Sequence, residues 1–261
     1  LLKNGFDERW IDVEETAGKR SGAYSTSCPG DHPYVLLNYK PTTHDVFTIA
    51  HEMGHSLHSY FSEKYQPYAK TSYTIFVAEV ASTVNEVLLL KFMLADSKDD
   101  NFKKYLLNYY LDTIRATLHR QTMFAEFEYG AHDMAEKGEP LTKDNLCKLY
   151  ADIGRKYYGN DIEHDYNISC EWARIPHFYN SFYVYKYATG IIAAINIANR
   201  ILTGKENAVK DYFDFLSGGC STDPVSLLKL AGVDLMSQQP YDFAMKEFDE
   251  TLAEFEKLMG I

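Results

Sequence analysis

The chain of 261 residues has few cysteines, no long apolar run and a shortage of positive charge. Its four cysteines stand far apart, at Cys28, Cys147, Cys170 and Cys220. Because no two of them form a C-x-x-C pair, they predict isolated reduced thiols rather than a disulfide framework or a zinc cage. The longest apolar run, residues 190–198, is interrupted by Asn196 and falls well short of a membrane span. These absences favour a cytoplasmic protein.

The charge balance excludes two classes of partner. Lys and Arg number 26 against 37 Asp and Glu, which gives a formal net charge of −11. Nucleic acids and anionic membranes both require a basic face, so neither is expected as a partner. With 46% hydrophobic residues the chain can bury the core of one large or two modest domains. Its 21 tyrosines suit a peptide-binding channel, since tyrosine is apolar in body and polar at the tip.

The most informative stretch is His51-Glu52-Met53-Gly54-His55. On a helix, two histidines four residues apart project from one face and can bind the same metal ion. Glu52 is rotated by about 100° from the first histidine, so it can reach a metal-bound water without being a ligand. This is the general-base position of the HExxH metallopeptidases, and the expected metal is one zinc ion.

The flanking residues support a helix at this motif. Thr42 or Thr43 can serve as the N-cap, and Asp45 lies in the first turn, where an acid suits the helix dipole. Apolar residues recur at helical spacing beside the histidines. The alternative is a chance match to HExxH on an ordinary core helix.

Glu79 is the best candidate for the third ligand. It stands in the predicted helix Tyr73 to Asp96 among Phe76, Val77, Ala78, Val80 and Ala81. Burying a carboxylate without a partner is costly, and a zinc ion would supply that partner. Glu86, seven residues later, lies near the same helical face and could brace a ligand through a hydrogen bond. The alternative is that Glu79 belongs to the solvated face of an amphipathic helix and binds no metal.

The residues that follow the motif exclude one class of metallopeptidase. A metzincin carries a third histidine where this chain has Phe61, so that class is excluded. His58 remains on the ligand side of the helix and is the main rival to Glu79, although a packing role is the favoured interpretation. His119, His132 and His164 have no partner pattern and are interpreted as structural.

A hairpin is predicted before the metal helix. Residues 18–25 and 32–39 read as two strands around a turn at residues 28–31. The second strand ends three residues before the metal helix, and as an edge strand it could pair with an extended peptide. An ordinary buried strand is the equally weighted alternative.

The rest of the chain is predicted to be helical. Residues 101–137 and 141–158 form two long stretches separated by the breaker Gly138-Glu139-Pro140. Residues 176–190 are unusually rich in tyrosine. As one helix they would place Phe178, Phe182 and Tyr185 on one face and Tyr179, Tyr183 and Tyr187 on the next. Their hydroxyls and His177 could stabilise an oxyanion in a metal cleft, whereas the alternative is a packing helix.

Five segments in order resemble the oligoendopeptidase F branch of the thimet-type (M3) zinc peptidases. They are GKRSGAYS, HEMGHSLHSYF, FVAEVASTVNE, HFYNSFYVYKYATG and FLSGGCSTDPVSLLKLAGVD. The resemblance implies zinc held by His51, His55 and Glu79, with Glu52 as the general base. It also implies that His177 and Tyr185 lie on the substrate side, and it leaves open which of Tyr179, Tyr183 and Tyr187 also contact substrate.

The resemblance further implies a mainly α fold of the zincin-like (gluzincin) kind, with a small hairpin beside the HExxH helix and a deep channel for short unfolded peptides. Residues 1–261 are expected to form one catalytic domain without the helical region that precedes it in the family. The expected activity is hydrolysis of internal peptide bonds. The alternatives are a metallocarboxypeptidase and a zinc-stabilised peptide-binding module without turnover; a structural zinc site would be expected to close its fourth position with a protein ligand.

Overall fold

The computed structural model describes residues 2–159, 162–163 and 165–261, and within them it confirms the mainly α fold with a small sheet. The strands are β1 (Ile11–Asp12), β2 (Tyr24–Thr26) and β3 (Tyr34–Leu36). The helices are α1 (Leu2–Asp7), α2 (Thr43–Tyr65), α3 (Ile75–Asp96), α4 (Asp100–Ile114), α5 (Arg120–Glu136), α6 (Lys143–Tyr158), α7 (Tyr166–Ser169), α8 (Tyr185–Leu202), α9 (Ala208–Leu216), α10 (Pro224–Leu230) and α11 (Gln239–Met259). A π-helical turn (Arg115–His119) joins α4 to α5, and 3₁₀ turns cover Tyr68–Lys70, Glu171–Arg174 and Pro176–Tyr179.

The chain forms two compact units. The first comprises residues 1–111 and 190–261, and the second comprises residues 112–189. Among the described helices, none combines the length and apolar character that a membrane crossing requires. His164 lies outside the described residues, so the structure does not address its predicted structural role.

The long helix α2 carries the HEMGH motif, and its start follows the predicted capping. Thr42 is the N-cap, and its hydroxyl accepts a hydrogen bond from the Asp45 N–H at 3.2 Å. This bond satisfies one of the free N–H groups of the first turn. The sheet covers one side of α2 through a small core of Val35, Leu37 and Met53.

The order of the three strands corrects one prediction. The hairpin is present, since β2 pairs antiparallel to β3, but β1 pairs with β3 on its other side. The second strand of the hairpin is therefore the central strand, and the prediction that it is an edge strand is wrong. Residues 10–13 take up its outer edge: the Val35 N–H donates to the Trp10 carbonyl at 2.8 Å. Because β1 and β3 are distant in sequence, no local sequence pattern predicts that they pair.

A glycine allows α2 and α3 to approach closely. A Cβ built on Gly54 would lie 2.5 Å from the Cα of Ser82 and 2.6 Å from the carbonyl oxygen of Ala81. Real Cβ atoms do not come so near to backbone, so the observed packing requires glycine. The side chain of Asn85 also donates to the Ala50 carbonyl at 3.1 Å, which fixes the register of the two helices.

The C-terminal helices contact one another and α3 within the first unit. Asn196 in α8 is buried and donates to the Pro240 carbonyl at 2.9 Å, which ties α8 to α11. Arg200 reaches the Asp211 carboxylate of α9 at 2.6 Å and the Ala231 carbonyl at 2.9 Å. Lys91 of α3 forms an ion pair with Glu247 of α11. These contacts make α3 part of a buried layer rather than a solvated amphipathic surface.

The second unit has its own core and corrects the prediction about the cysteines. Its core consists of Met123, Phe124, Phe127, Tyr150, Ile153, Ile175 and Val184. The Sγ atoms of Cys147 and Cys170 lie 3.4 Å apart as free thiols. Both are free thiols, as predicted, but this pair is not isolated, because the fold of α6 onto α7 brings together residues 23 positions apart.

Residues 176–190 do not form one helix, which is a third correction. The 3₁₀ turn Pro176–Tyr179 is followed by an irregular link, and α8 begins only at Tyr185. Phe182 in this link has a left-handed backbone with φ of 55°, and its N–H donates to the Glu128 carboxylate at 2.6 Å. A buried carboxylate from α5 therefore competes with the helical hydrogen bond, and the two predicted aromatic faces are not formed.

Candidate active site

Helices α2 and α3 bring His51, His55 and Glu79 together in the first unit. The Nε2 atoms of the two histidines lie 3.1 Å apart, and the Glu79 Oε2 lies 3.4 Å from His51 Nε2 and 3.7 Å from His55 Nε2. Within the described part of the chain these three form the group whose ligand atoms all lie within 4.8 Å of one another. Two imidazole nitrogens and one carboxylate oxygen make a donor set that suits zinc.

Glu86 supports this cluster from behind. Its Oε1 lies 2.5 Å from His51 Nδ1, which leaves His51 Nε2 directed at His55 and Glu79. A carboxylate bonded to the far nitrogen of a ligand histidine fixes the ring orientation and its tautomer. The sequence predicted this bracing role for Glu86 from its spacing, and the structure places the side chain where that role requires it.

The cluster is arranged to hold positive charge. Burial would lower the pKa of His51, but hydrogen bonds to Glu79 and Glu86 outweigh it and raise the pKa to about 10. Burial lowers the pKa of His55, so that imidazole favours its neutral form, which is the form that binds a metal. The protonated His51 ring thus lies between the carboxylates of Glu79 and Glu86. A divalent metal bound at His51 would replace its proton.

Glu52 is buried next to this cluster. The residue is 6% exposed, and no described residue makes a hydrogen bond to its Oε2. Burial raises the pKa of the carboxyl, while the charge of His51 and the Ser25 N–H oppose that rise. An orphaned carboxylate oxygen in a buried site is unusual unless it has a chemical partner such as a reacting water.

The outer edge of β2 faces the same carboxyl. Because Val35 directs its N–H to Trp10, its antiparallel partner Ser25 turns its own N–H and carbonyl away from β3. No strand covers that side of β2 within the described residues. The Ser25 hydroxyl also lies 2.9 Å from the Ser56 hydroxyl, which holds β2 against α2. The open edge is therefore on β2 and not on the strand predicted from the sequence.

His58, the rival ligand, lies in a packing environment. It is fully buried and stacks on Tyr73 with ring centroids 3.7 Å apart and planes 2° apart. Burial lowers the pKa of His58 to about 3, so the ring is neutral. Neither ring nitrogen has a hydrogen-bond partner among the described residues. The structure groups Glu79, and not His58, with the two motif histidines.

The predicted substrate-side residues lie in the second unit. His177 is in the 3₁₀ turn, and its Nε2 is 3.4 Å from the Tyr187 hydroxyl. The His177 ring also lies 5.5 Å from that of Tyr183, so these three rings form one group. Tyr185 is the first residue of α8 and is 37% exposed, whereas Tyr179 is 87% exposed.

The surroundings of His132 and His119 suit the structural role predicted for these two histidines. His132 packs on Phe182 with ring centroids 4.7 Å apart. His119 ends the π-helical turn, and burial lowers its pKa. Neither residue belongs to the metal-ligand group of the described residues.

Two contributors to the site were missed in the sequence. Gly54 stands inside the motif, and its identity could have indicated a close helix approach. Ser25 falls within a predicted strand, but its contact with Glu52 depends on strand order, for which the sequence holds no local signal.

Comparison with known proteins supports the resemblance along nearly the whole chain. The model of peptidase family M3 matches residues 1–247. Oligopeptidase PepF of Bacillus subtilis is 48% identical over 259 residues, which cover 99% of this chain and 39% of that protein. Oligoendopeptidase F of Lactococcus lactis subsp. cremoris is 45% identical over 258 residues, covering 99% of this chain and 43% of that protein.

Solved structures agree with the sequence matches. The oligoendopeptidase F of Enterococcus faecium superposes with a TM-score of 0.75 at 43% identity, over 83% of this chain and 39% of that one. A protein from Chlamydophila abortus superposes with a TM-score of 0.90 at 47% identity, over 98% of this chain and 43% of that one. This chain thus spans about two fifths of the length of these relatives, between 39% and 43%. Because the match runs through the HEMGH helix, the acid of α3 and the C-terminal helices alike, the chain belongs to peptidase family M3.

Proposed function

We propose that residues 1–261 form the catalytic domain of a zinc-dependent endopeptidase that hydrolyses internal bonds of short unfolded peptides. The observation that carries this proposal is the cluster of His51, His55 and Glu79 beside the buried, unpartnered carboxyl oxygen of Glu52. Relatives named oligopeptidase and oligoendopeptidase over 99% of this chain support the choice of peptides as substrates.

The residues present fit a zinc ion, since the donor set is right and two carboxylates favour a cation between the helices. His51, His55 and Glu79 would hold it, and Glu86 would orient His51. Bound there, the ion would supply Lewis-acid polarisation of the scissile carbonyl and would acidify the attacking water.

Glu52 acts as the proton carrier in this proposal. Its Oε2 accepts the proton of the attacking water and later returns it to the departing amine, so one carboxyl serves both halves of the reaction. The buried position suits this role, because burial raises the pKa of the carboxyl toward the working pH.

The substrate backbone would pair with the open edge of β2. Ser25 offers its carbonyl there, a group that an added strand requires, while its N–H faces the Glu52 carboxyl. His177 and Tyr185 would donate hydrogen bonds to the oxyanion of the tetrahedral intermediate. This assignment rests on the family match of the segment that contains both residues.

The deciding experiment compares the zinc-loaded chain with its Glu52→Gln variant. The substrate is an internally quenched peptide blocked at both ends, which an exopeptidase cannot cleave. We expect about one zinc per chain in both proteins and a loss of cleavage of about 10²- to 10⁴-fold in the variant, the usual contribution of a general base. The exposed Glu206→Gln provides the matched control and should cleave normally.

Three outcomes would contradict the proposal. Unchanged cleavage in Glu52→Gln would remove the general base. Cleavage only of peptides with a free carboxyl terminus would indicate a carboxypeptidase. Zinc binding without cleavage of any peptide would favour a binding role.

A further inference from the structure

A polar cavity lies beside α2 beyond the metal cluster. Its volume is about 380 Å³, which is within the range of small-ligand sites. Ser27, Thr71 and Tyr73, which carry hydroxyl groups, line it together with Glu63. Glu63 is the charged residue among the described residues that line this cavity.

The negative charge of Glu63 has no ion-pair partner within the part of the chain that the structure describes. None of the ion pairs formed by the described residues includes Glu63, although Lys64 is its neighbour in the chain. The Lys64 ammonium instead lies 5.7 Å from the Tyr60 ring and 5.6 Å from the Tyr65 ring. One carboxylate oxygen of Glu63 accepts a hydrogen bond from Ser27 Oγ at 2.5 Å, and its second oxygen adds further acceptor capacity.

The cavity lies next to Ser27, just beyond the carboxyl-terminal end of β2, the strand with the open edge. Strand β2 runs along α2 in the same direction, because Ser25 contacts Ser56 and Ser27 contacts Glu63. Ser25, the middle residue of β2, faces Glu52. Helical rise places Glu63 about 12 Å beyond His55, which corresponds to three or four residues of an extended peptide.

The direction of a bound peptide follows from the sheet. Strands pair antiparallel more often than parallel, and such a pair is slightly more stable per residue. A peptide antiparallel to β2 would run from the Ser27 end toward the Tyr24 end. Its residues on the amino-terminal side of the cleaved bond would therefore lie next to Glu63.

We propose that Glu63 makes this cavity a subsite for a lysine or arginine side chain two to four residues before the cleaved bond. The inference rests on the proposed endopeptidase function, since it assumes that the bond to be cleaved lies at Glu52. The carboxylate would bind the cationic group, and the hydroxyl oxygens of Ser27, Thr71 and Tyr73 would accept its remaining hydrogen bonds, since a lysine or arginine side chain carries only donors.

The test uses doubly blocked quenched peptides that carry Lys, Gln or Glu at the second, third or fourth position before the cleaved bond. In the zinc-loaded chain we expect kcat/KM for one Lys peptide to exceed that of its Gln counterpart by about tenfold, and the preference to weaken with salt. Glu63→Gln should reduce the ratio to about one, and Glu63→Lys should reverse it in favour of the Glu peptide. Glu206→Gln should behave as the unmodified chain does.

A structural role for Glu63 would predict a different pattern. If Glu63 only held Ser27, its variants would lower the melting temperature and the cleavage of all peptides alike, without changing the ratio between Lys and Gln peptides. An equal Lys to Gln ratio in the unmodified chain and in Glu63→Gln overturns the subsite.

Binding measurements separate this proposal from the proposed function. Fluorescence anisotropy of the same peptides gives affinities whether or not they are cleaved. A charge preference in binding that depends on Glu63, without cleavage, would support the subsite while hydrolysis failed. Cleavage without any charge preference would support hydrolysis and overturn the subsite.

Discussion

Gly54 controls the metal cluster because it sets the distance between α2 and α3. A Cβ at this position would lie 2.5 Å from the Ser82 backbone, so Gly54→Ala must push the helices apart and move Glu79 from the histidines. We expect zinc affinity to fall at least about tenfold and the free energy of unfolding to fall by about 1–3 kcal/mol, the usual cost of overpacking. Chelator competition and urea denaturation measure the two effects.

Gly190→Ala is the matched control for this substitution. Gly190 also lies in a helix and beside Glu79, but a Cβ built on it would be 3.6 Å from the Glu79 Cβ, an ordinary contact. Since alanine favours helices over glycine, stability should be unchanged or slightly higher. Equal zinc affinity in Gly54→Ala and Gly190→Ala would contradict the role given to Gly54.

Glu86 acts on the metal through His51. Its Oε1 lies 2.5 Å from His51 Nδ1, so Glu86→Ala frees the ring to rotate and removes a neighbouring negative charge. We expect zinc affinity to fall about 10- to 100-fold, as for other residues that orient a ligand histidine. Asp96→Asn removes an exposed carboxylate from the same helix and should leave the affinity unchanged. If both variants lost zinc affinity to a similar degree, the change in net charge alone would explain the loss.

At the scale of elements, Glu171 joins α5, α6 and the turn Glu171–Arg174 within the second unit. It accepts hydrogen bonds from the Tyr150 hydroxyl at 2.6 Å and the Arg120 guanidinium at 2.5 Å, and it also pairs with Arg174. Burial raises the pKa of Glu171, but these three donors outweigh it and hold the pKa below its usual value. The charged form is therefore the one that stabilises the fold.

This arrangement predicts a pH-dependent effect of Glu171→Gln. Because the folded pKa is lowered, the stabilisation is present above the unfolded pKa near 4.5 and is lost as pH falls through the folded value. We expect the variant to lose about 1.5–3 kcal/mol at pH 7, as for hydrogen bonds to charged groups, and the loss to shrink toward pH 3. Urea denaturation at several pH values measures it.

Glu126→Gln is the comparison for Glu171→Gln. Glu126 pairs with Lys156, whose side chain is 65% exposed, at 2.7 Å. Pairs of this kind contribute about 0–1 kcal/mol, so the variant should differ little from the unmodified chain. A pH-independent loss in Glu171→Gln would show that packing rather than charge is responsible.

At the scale of the whole molecule, zinc should stabilise the fold. The ligands come from two helices that are packed only in the native state, so a bound ion shifts the unfolding equilibrium by mass action. At zinc concentrations about 100 times the dissociation constant, the gain is about 2.7 kcal/mol, or roughly 5–10 °C in melting temperature for a chain of this size. Calorimetry with and without a chelator measures this, and Glu79→Ala should abolish most of the shift.

Local patterns in the sequence determined most of the helices and the candidates for the metal site. The i, i+4 histidines, the N-cap at Thr42 and the apolar surroundings of Glu79 are all read within one or two helical turns. A carboxylate in such surroundings needs a partner wherever the helix packs, so Glu79 and Glu86 could be chosen before the fold was known. The family resemblance likewise depends on motifs and their order, which the chain carries by itself.

The contacts between segments distant in sequence were decided only by the tertiary structure. It placed β1 on the far side of β3 and so moved the open edge to β2, it brought Cys147 against Cys170, and it used Glu128 to break the helix at Phe182. The cavity at Glu63 likewise exists because β2 lies along α2. Helix signals depend on neighbours three or four residues apart, whereas these contacts depend on which surfaces meet when the core is buried, and no local pattern records that choice.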